Sequence, residues 1–246
     1  MEKKSNFGDQ LNPWIWPRLL PGIFEGECFH SSTQKLQNEK ENSLFLGIGT
    51  ILNNNVPMRP LKAVFGTGFG YGKIATIDDK WKFYCVRGPL SAKALGLASK
   101  LAITGSAALL RVVELPKVSK LQHKFSFMPH FHSHKFNNYI LEKICEVVDI
   151  NYIEPTGDVE AVFEGILSSE VVIAEAMHGA IVADALRIPW IQVKTDDFIL
   201  EFKWQDWCQS LGLDYQPITI PYSFWRIMPK TRWSGKGNNI VKKKIE

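Results

Sequence analysis

The sequence predicts an α/β fold of two similar halves, residues 1–115 and 121–246, whose open sheets face a cleft. Three observations carry this. Residues 168–194 read as strand–turn–helix–strand, the unit of a parallel crossover. In the first half, short apolar runs end at Gly49, Gly68 and Arg87. In the second half they end at His130, His178 and Lys194. Ligands of open α/β sheets bind at the carboxyl ends of strands, so all six residues are candidates for one cleft.

The crossover is the clearest element. Val171–Ala174 is an apolar, β-branched strand, and Ala180–Arg187 has helical spacing of Ile181, Ala185 and Leu186. Pro189 closes the helix and Trp190–Val193 is the next strand. His178-Gly179 lies where the helix begins, so free amides and the positive end of the dipole point there. Gly179 lets an anion approach the backbone, and His178 can donate a hydrogen bond or a proton to it. A buried structural histidine is the alternative.

Composition narrows the class. A hydrophobic content of 45% supports a packed core, and no run approaches the ~20 apolar residues of a membrane span. MEKKSNFGDQ has no apolar segment behind its lysines, so the expected location is the cytoplasm. A net charge of +4 permits an anionic substrate without calling for nucleic acid. Cys28, Cys85, Cys145 and Cys208 show no metal-ligand spacing and read as small core residues. Lys242-Lys243-Lys244 reads as a solvated tail, or as a weak contact to the inner face of an anionic membrane.

Taken in order, Asn6-Phe7-Gly8-Asp9 favours a turn. Asp9 either caps a following helix or stands beside a substrate hydroxyl. Trp14, Trp16 and Pro17 read as packing residues, and residues 30–43 as a polar connection. Leu44–Gly47 is a strand leaving through Gly49-Thr50, and Lys62–Phe65 a second, running into Gly66-Thr67-Gly68-Phe69-Gly70-Tyr71-Gly72. Alternate glycines let backbone amides face a ligand, but the dinucleotide fingerprint GxGxxG is not met. Lys82–Val86 is a third strand, with Pro89 opening a helix over Leu90–Leu95. Arg87 between them has a planar fork suited to a carboxylate or phosphate, against the alternative of a salt bridge. Leu101–Thr104 is a further short strand.

Phe125–Met128 opens the second half and ends at Pro129-His130-Phe131-His132-Ser133-His134. These histidines lack a carboxylate or cysteine among them, so a metal site is not favoured. His130, nearest the strand end, is placed to meet an anion. Asn137–Val148 is an amphipathic helix, Tyr152-Ile153 a strand, and Asp158 the expected cap of a helix over Val159–Leu167. Residues 198–213 are helical and aromatic-rich. Tyr222, Phe224, Trp225 and Trp233 with Lys230 and Arg232 read as a packing segment or as a platform for sugars or lipid headgroups.

The ordered motifs NFGDQLN, GIGT, FGTGFG, VRGPLSAKALGL, FMPH and EAMHGAIVADALRIP resemble the polysaccharide pyruvyl transferase family over residues 5–195. The version here most resembles the ketal pyruvyltransferases of succinoglycan-type exopolysaccharide synthesis. That resemblance implies two Rossmann-like halves in a GT-B-like arrangement. It implies phosphoenolpyruvate as donor and a saccharide hydroxyl pair as acceptor (lipid-linked or free). Arginine, lysine, histidine and backbone amides can supply the positive field, so no metal or further cofactor is expected. By motif, Arg87 and His178 match donor-binding positions, and Lys194 lies where a lysine after the next strand reaches the same anion. Many relatives carry Arg-Leu-His-Gly where Ala176-Met177-His178-Gly179 stands, and aspartate then proline at Ser106-Ala107.

The expected chemistry places Arg87, Lys194, His130 and the amides near Gly49, Gly68 and Gly179 on the donor. His178 is the general acid or phosphate stabiliser, and Asp9 accepts the hydroxyl proton. A nucleotide-sugar glycosyltransferase on the same architecture and a non-catalytic saccharide-binding protein are the rivals.

Overall fold

The computed structural model describes residues 6–23, 43–116, 121–195 and 199–220. Cys28, the connection at 30–42, the aromatic and basic segment at 222–233 and Lys242–Lys244 lie outside them. The first sheet holds β1 (Ser43–Leu46), β2 (Leu61–Phe65) and β3 (Trp81–Cys85) in the order β1-β2-β3. The second holds β4 (His123–Met128), β5 (Asn151–Tyr152), β6 (Ser169–Ala174), β7 (Trp190–Lys194) and β8 (Ile218–Thr219), in the order β5-β4-β6-β7-β8. All pairings between these strands are parallel. The α/β class with parallel sheets is thus as expected. GT-B geometry is a finer statement than this topology makes.

Strand order in the second sheet positions the site. From β4 the chain moves to one side to form β5, then returns past β4 to lay β6 on its other side. The carboxyl ends of β4 and β6 therefore flank a topological switch point, the place where open α/β sheets generally bind ligands. His130 follows β4 and His178 follows β6.

Among the described residues six helices cover the sheets: α1 (Phe7–Leu19), α2 (Pro89–Ala94), α3 (Phe131–Val147), α4 (Val159–Leu167), α5 (Met177–Ala185) and α6 (Glu201–Ser210). Helix α1 links both sheets. Phe7 and Trp14 pack edge-on against Phe163 of α4, and Trp14 Nε1 donates to Glu160 at 2.6 Å. On another face, Asn12 accepts from the Ile48 amide at 2.8 Å and donates to the Ile48 carbonyl at 2.9 Å. One core cluster consequently joins Phe7, Ile48 and Leu110 to Met128, Phe163, Trp204 and Trp207. The two sheets share this interior.

Several local expectations are corrected. Asn6, not Asp9, caps α1: its side chain accepts from the Asp9 amide at 3.1 Å and donates to the Asp9 carboxylate at 2.6 Å. Pro13 and Pro17 sit inside α1, which continues to Leu19. The strand expected at Leu101–Thr104 is reduced to a 3-10 turn, Ser99–Leu101, and one parallel bridge from Ala102 to Val86. A second 3-10 segment, Ser106–Val112, follows. Helix α3 starts at Phe131, six residues earlier than expected, with a break at Asn137. His132 and His134 therefore lie on this helix. Asp158 holds the cap position of α4 without a side-chain cap bond. Helix α5 begins at Met177, which puts His178 and Gly179 in its first turn.

Candidate functional site

The site is built from strand exits. At the end of β3, Arg87 is 1% exposed and each nitrogen of its guanidinium has a protein acceptor. Nε donates to Asp206 Oδ2 at 2.9 Å, Nη1 to Thr50 Oγ1 at 2.8 Å, and Nη2 to the Phe69 carbonyl at 2.7 Å. Asp206, buried on α6, also accepts from the Ser91 amide at 2.9 Å and the Ser91 hydroxyl at 2.5 Å. Burial works against the Arg87 charge while Asp206 sustains it. This pair spans 119 residues of sequence and fastens α6 to the start of α2.

The glycine run serves this arginine. A Cβ on Gly68 would lie 2.4 Å from the Arg87 Cζ, so only glycine leaves room for the guanidinium. The Gly68 amide is spent on the Gly49 carbonyl at 3.1 Å, and the Phe69 amide on Ser91 Oγ at 3.0 Å. Gly49 has a φ of 141°, a conformation that favours glycine. Thr50 follows it and meets Arg87. These glycines thus shape the wall behind the arginine, whereas the sequence had suggested amides facing a ligand.

The second half contributes His178, in the first turn of α5, and His130, at the cap of α3. The His178 ring lies against α1: a Cβ on Gly8 would fall 1.7 Å from its Nδ1. Gly179 packs on Met128, where a Cβ would be 2.5 Å from the sulfur. Burial, followed by the charges of Lys203 and Arg87, lowers the His178 pKa to about 3. Burial, then Lys203, His132 and His178, brings His130 to about 3 as well. Both imidazoles are therefore neutral at pH 7. His130 Nδ1 accepts from the His132 amide at 3.4 Å, which leaves its proton on Nε2. An imidazolium acid at His178 is not what the free site holds.

Asp9, in the first turn of α1, has its pKa raised to about 6 by burial, against the lowering effect of Asn6 and Lys203. It is the group in this cluster that changes charge just below neutrality.

Two residues that the sequence did not single out complete the arrangement. Lys203 extends from α6 with Nζ 4.9 Å from the Tyr71 ring centroid. Its pKa is lowered to about 8 by burial and by Arg87, with Asp9 opposing. Glu175, fully buried just before His178, accepts from the His130 amide at 2.9 Å, the Thr195 amide at 2.8 Å and the Thr195 hydroxyl at 2.5 Å. It ties the exits of β4, β6 and β7 together.

The structure thus brings Asp9, Arg87, His130 and His178 within electrostatic reach of Lys203. Lys194 instead gives Nζ to Glu201 at 2.8 Å. Position 176 is alanine, yet the cluster keeps two cations, Arg87 and Lys203. Ser106 is buried against Gly66 with its hydroxyl unpartnered, and Ala107 belongs to the shared core. Among the described residues no three His, Cys, Asp or Glu side chains are grouped to hold a metal ion. Cys85, Cys145 and Cys208 are free and buried. A separate groove of about 850 Å³ runs between α1 and α4, lined by Trp14, Arg18, Asp158, Glu160 and Glu164. Its carboxylates give it the wrong sign for an anion. No helix among the described residues is long and apolar enough to cross a membrane.

Comparison with known proteins gives this cluster a context. The family model described as Polysaccharide pyruvyl transferase matches residues 6–197. The Succinoglycan biosynthesis protein ExoV of Rhizobium meliloti (strain 1021) is 41% identical over 224 residues, covering 89% of this chain and 66% of that relative. The chain therefore spans just under two thirds of the relative's length. No solved structure matches. The family match contains Asp9, Arg87, His130 and His178 but ends before Lys203 and Asp206. With most of its length inside that match, the chain belongs to the polysaccharide pyruvyl transferase family.

Proposed function

We propose that this protein transfers the pyruvyl unit of phosphoenolpyruvate to two hydroxyls of a saccharide, forming a pyruvate ketal on an exopolysaccharide or related surface glycan. Its partners are then the donor, in the role of co-substrate, and a saccharide acceptor, lipid-linked or free. The observation that carries the reading is the grouping of Arg87, Lys203, His130, His178 and the Asp9 carboxyl, which changes charge just below neutrality, beside the switch point. Phosphoenolpyruvate offers a carboxylate and a phosphate to the positive groups. Its methylene carbon needs a proton to become electrophilic at the neighbouring carbon.

In this reading His178 and His130 donate N–H bonds to the donor's oxygens, as neutral imidazoles do. The amides of the α5 first turn, which have no intrahelical acceptor, add to the same field. Asp9 supplies the proton. A bound anion raises its pKa beyond the value of about 6 in the free protein, which keeps it protonated at neutral pH. It protonates the methylene carbon, and the first hydroxyl adds to the adjacent carbon and returns a proton to Asp9. Phosphate departs, the second hydroxyl closes the ring, and its proton ends on phosphate. One hydroxyl proton has become part of the methyl group and the other leaves as hydrogen phosphate, so no oxidant or reductant is needed.

The pH dependence has a definite sign. The active form of Asp9 is the acid, so kcat/KM is present below its pKa and falls as pH rises through about 6. A second fall follows as Lys203 loses its proton past about 8. Asp9→Asn is expected to lower turnover by about 10²–10⁴-fold, the usual worth of a positioned acid. A rate that climbs with pH through 6 would instead make Asp9 a base from the outset.

The function itself is tested by a melting-temperature screen and a label assay. Phosphoenolpyruvate should raise the melting temperature, whereas UDP and GDP should not. Labelled pyruvate should pass from phosphoenolpyruvate to acceptor glycan with equimolar phosphate release. His178→Ala should reduce that transfer on the order of 10²-fold or more while leaving the fold intact. Stabilisation by a nucleotide alone, or near-normal transfer by His178→Ala, sinks the reading.

A further inference from the structure

We propose that Lys203 is the cation that touches an acid group of the donor, while Arg87 stands behind it as a buried positioning charge. The inference rests on the donor being phosphoenolpyruvate, and it changes which side chain makes contact.

The arginine is already engaged. All three guanidinium nitrogens donate to Asp206, Thr50 or the Phe69 carbonyl. Its flank is closed by Gly68, whose Cα leaves no space for a Cβ. Three of its five N–H groups are spent on the protein, and a side chain 1% exposed offers a ligand almost no surface at the other two. Its charge acts at a distance instead.

Lys203 is placed the other way round. Its stem lies against Gly70, where a Cβ would be 3.2 Å from the Lys203 Cγ. Its ammonium faces the Tyr71 ring, and among the described residues no carboxylate lies within ion-pair distance of it. A half-buried ammonium held only by an aromatic face is short of negative charge. Around it stand Asp9 from α1, Tyr71 from the loop after β2, Arg87 from the end of β3, His130 and His132 from the β4 exit, and His178 from α5. Of these only Asp9 supplies negative charge near neutrality, and it is protonated when the donor is bound. The missing counter-charge is then the donor's own. A lysine, with three rotatable donors on a flexible stem, suits an anion that changes shape as phosphate departs.

The test is calorimetric titration of phosphoenolpyruvate into the wild type, Lys203→Gln and Lys203→Arg, with melting temperature as the fold control. Losing one charge-assisted contact should weaken donor binding by about 10–100-fold in Lys203→Gln. Lys203→Arg should bind within about tenfold of wild type. If Lys203→Gln does not fold, pH decides. Beyond pH 8 wild-type affinity should drop by about tenfold per unit relative to Lys203→Arg, because the arginine keeps its charge there while Asp9, the imidazoles and Tyr71 are common to both proteins. Unchanged affinity in Lys203→Gln, or parallel pH curves, overturns the role of Lys203 alone. A wild type that does not bind phosphoenolpyruvate at all overturns the reading beneath it.

Discussion

Gly8→Ala is expected to lower pyruvyl transfer by about 10²-fold, although Gly8 carries no chemistry of its own. The added Cβ would lie 1.7 Å from Nδ1 of His178, 2.3 Å from Cε1 and 2.6 Å from Cγ. All three atoms belong to the rigid ring, so no flexible tip can fold away. The ring sits on the first turn of a helix whose neighbours Met177 and Gly179 are buried. Either the imidazole leaves its position or α1 lifts from α5. Overpacking of this kind costs about 1–3 kcal/mol of stability. The second outcome also shifts Asp9, which follows Gly8 in α1. A melting curve and a transfer assay on one preparation read both effects. Turnover within twofold of wild type would show that the close approach of α1 to His178 is incidental.

Asp206→Ala is expected to give the largest loss of stability, about 3–5 kcal/mol, because it strands a buried guanidinium. The same substitution removes the acceptor of the Ser91 amide and hydroxyl at the start of α2. Denaturant unfolding measures the loss. A paired change, Arg87→Met with Asp206→Leu, should restore much of the stability, since two apolar groups of similar volume replace a desolvated pair. It should not restore donor binding, because the positive field behind Lys203 is gone. Recovery of both would mean that Arg87 is only a strut. A loss below 1 kcal/mol in Asp206→Ala would mean that the pair is far more solvated than its 2% and 0% side-chain exposures indicate.

Strand exits were legible because local pattern sets them. Val171–Ala174 and Phe125–Met128 are apolar runs with turn residues after them, and they place His178 and His130 wherever the strands go. Arg87 was legible for the same reason, by its place between a strand and Pro89. What it does there was not, since its partner stands 119 residues away on α6. Lys203 is one of 29 lysines and arginines, on a helix whose aromatic residues dominate its pattern, and only the packing of α6 on α2 carries it to the cluster. Glu175 next to His178 could have been noticed, because an acid inside an otherwise apolar strand exit needs donors to be buried. The start of α5 was legible too: His178-Gly179 is expected where the helix begins, and α5 opens at Met177. The 3-10 segment at Ser106–Val112 has no periodicity of its own and is held by packing on α5.

A crystal structure of the protein with phosphoenolpyruvate tests whether one site, walled by both halves, grips this small doubly acidic donor. The expected result shows an acid group on Lys203 Nζ, N–H bonds from His178 and His130, and the methylene carbon turned to Asp9. Phosphoenolpyruvate lodged away from these residues, or a site that admits only a nucleotide, would mean that this cluster is not the donor site.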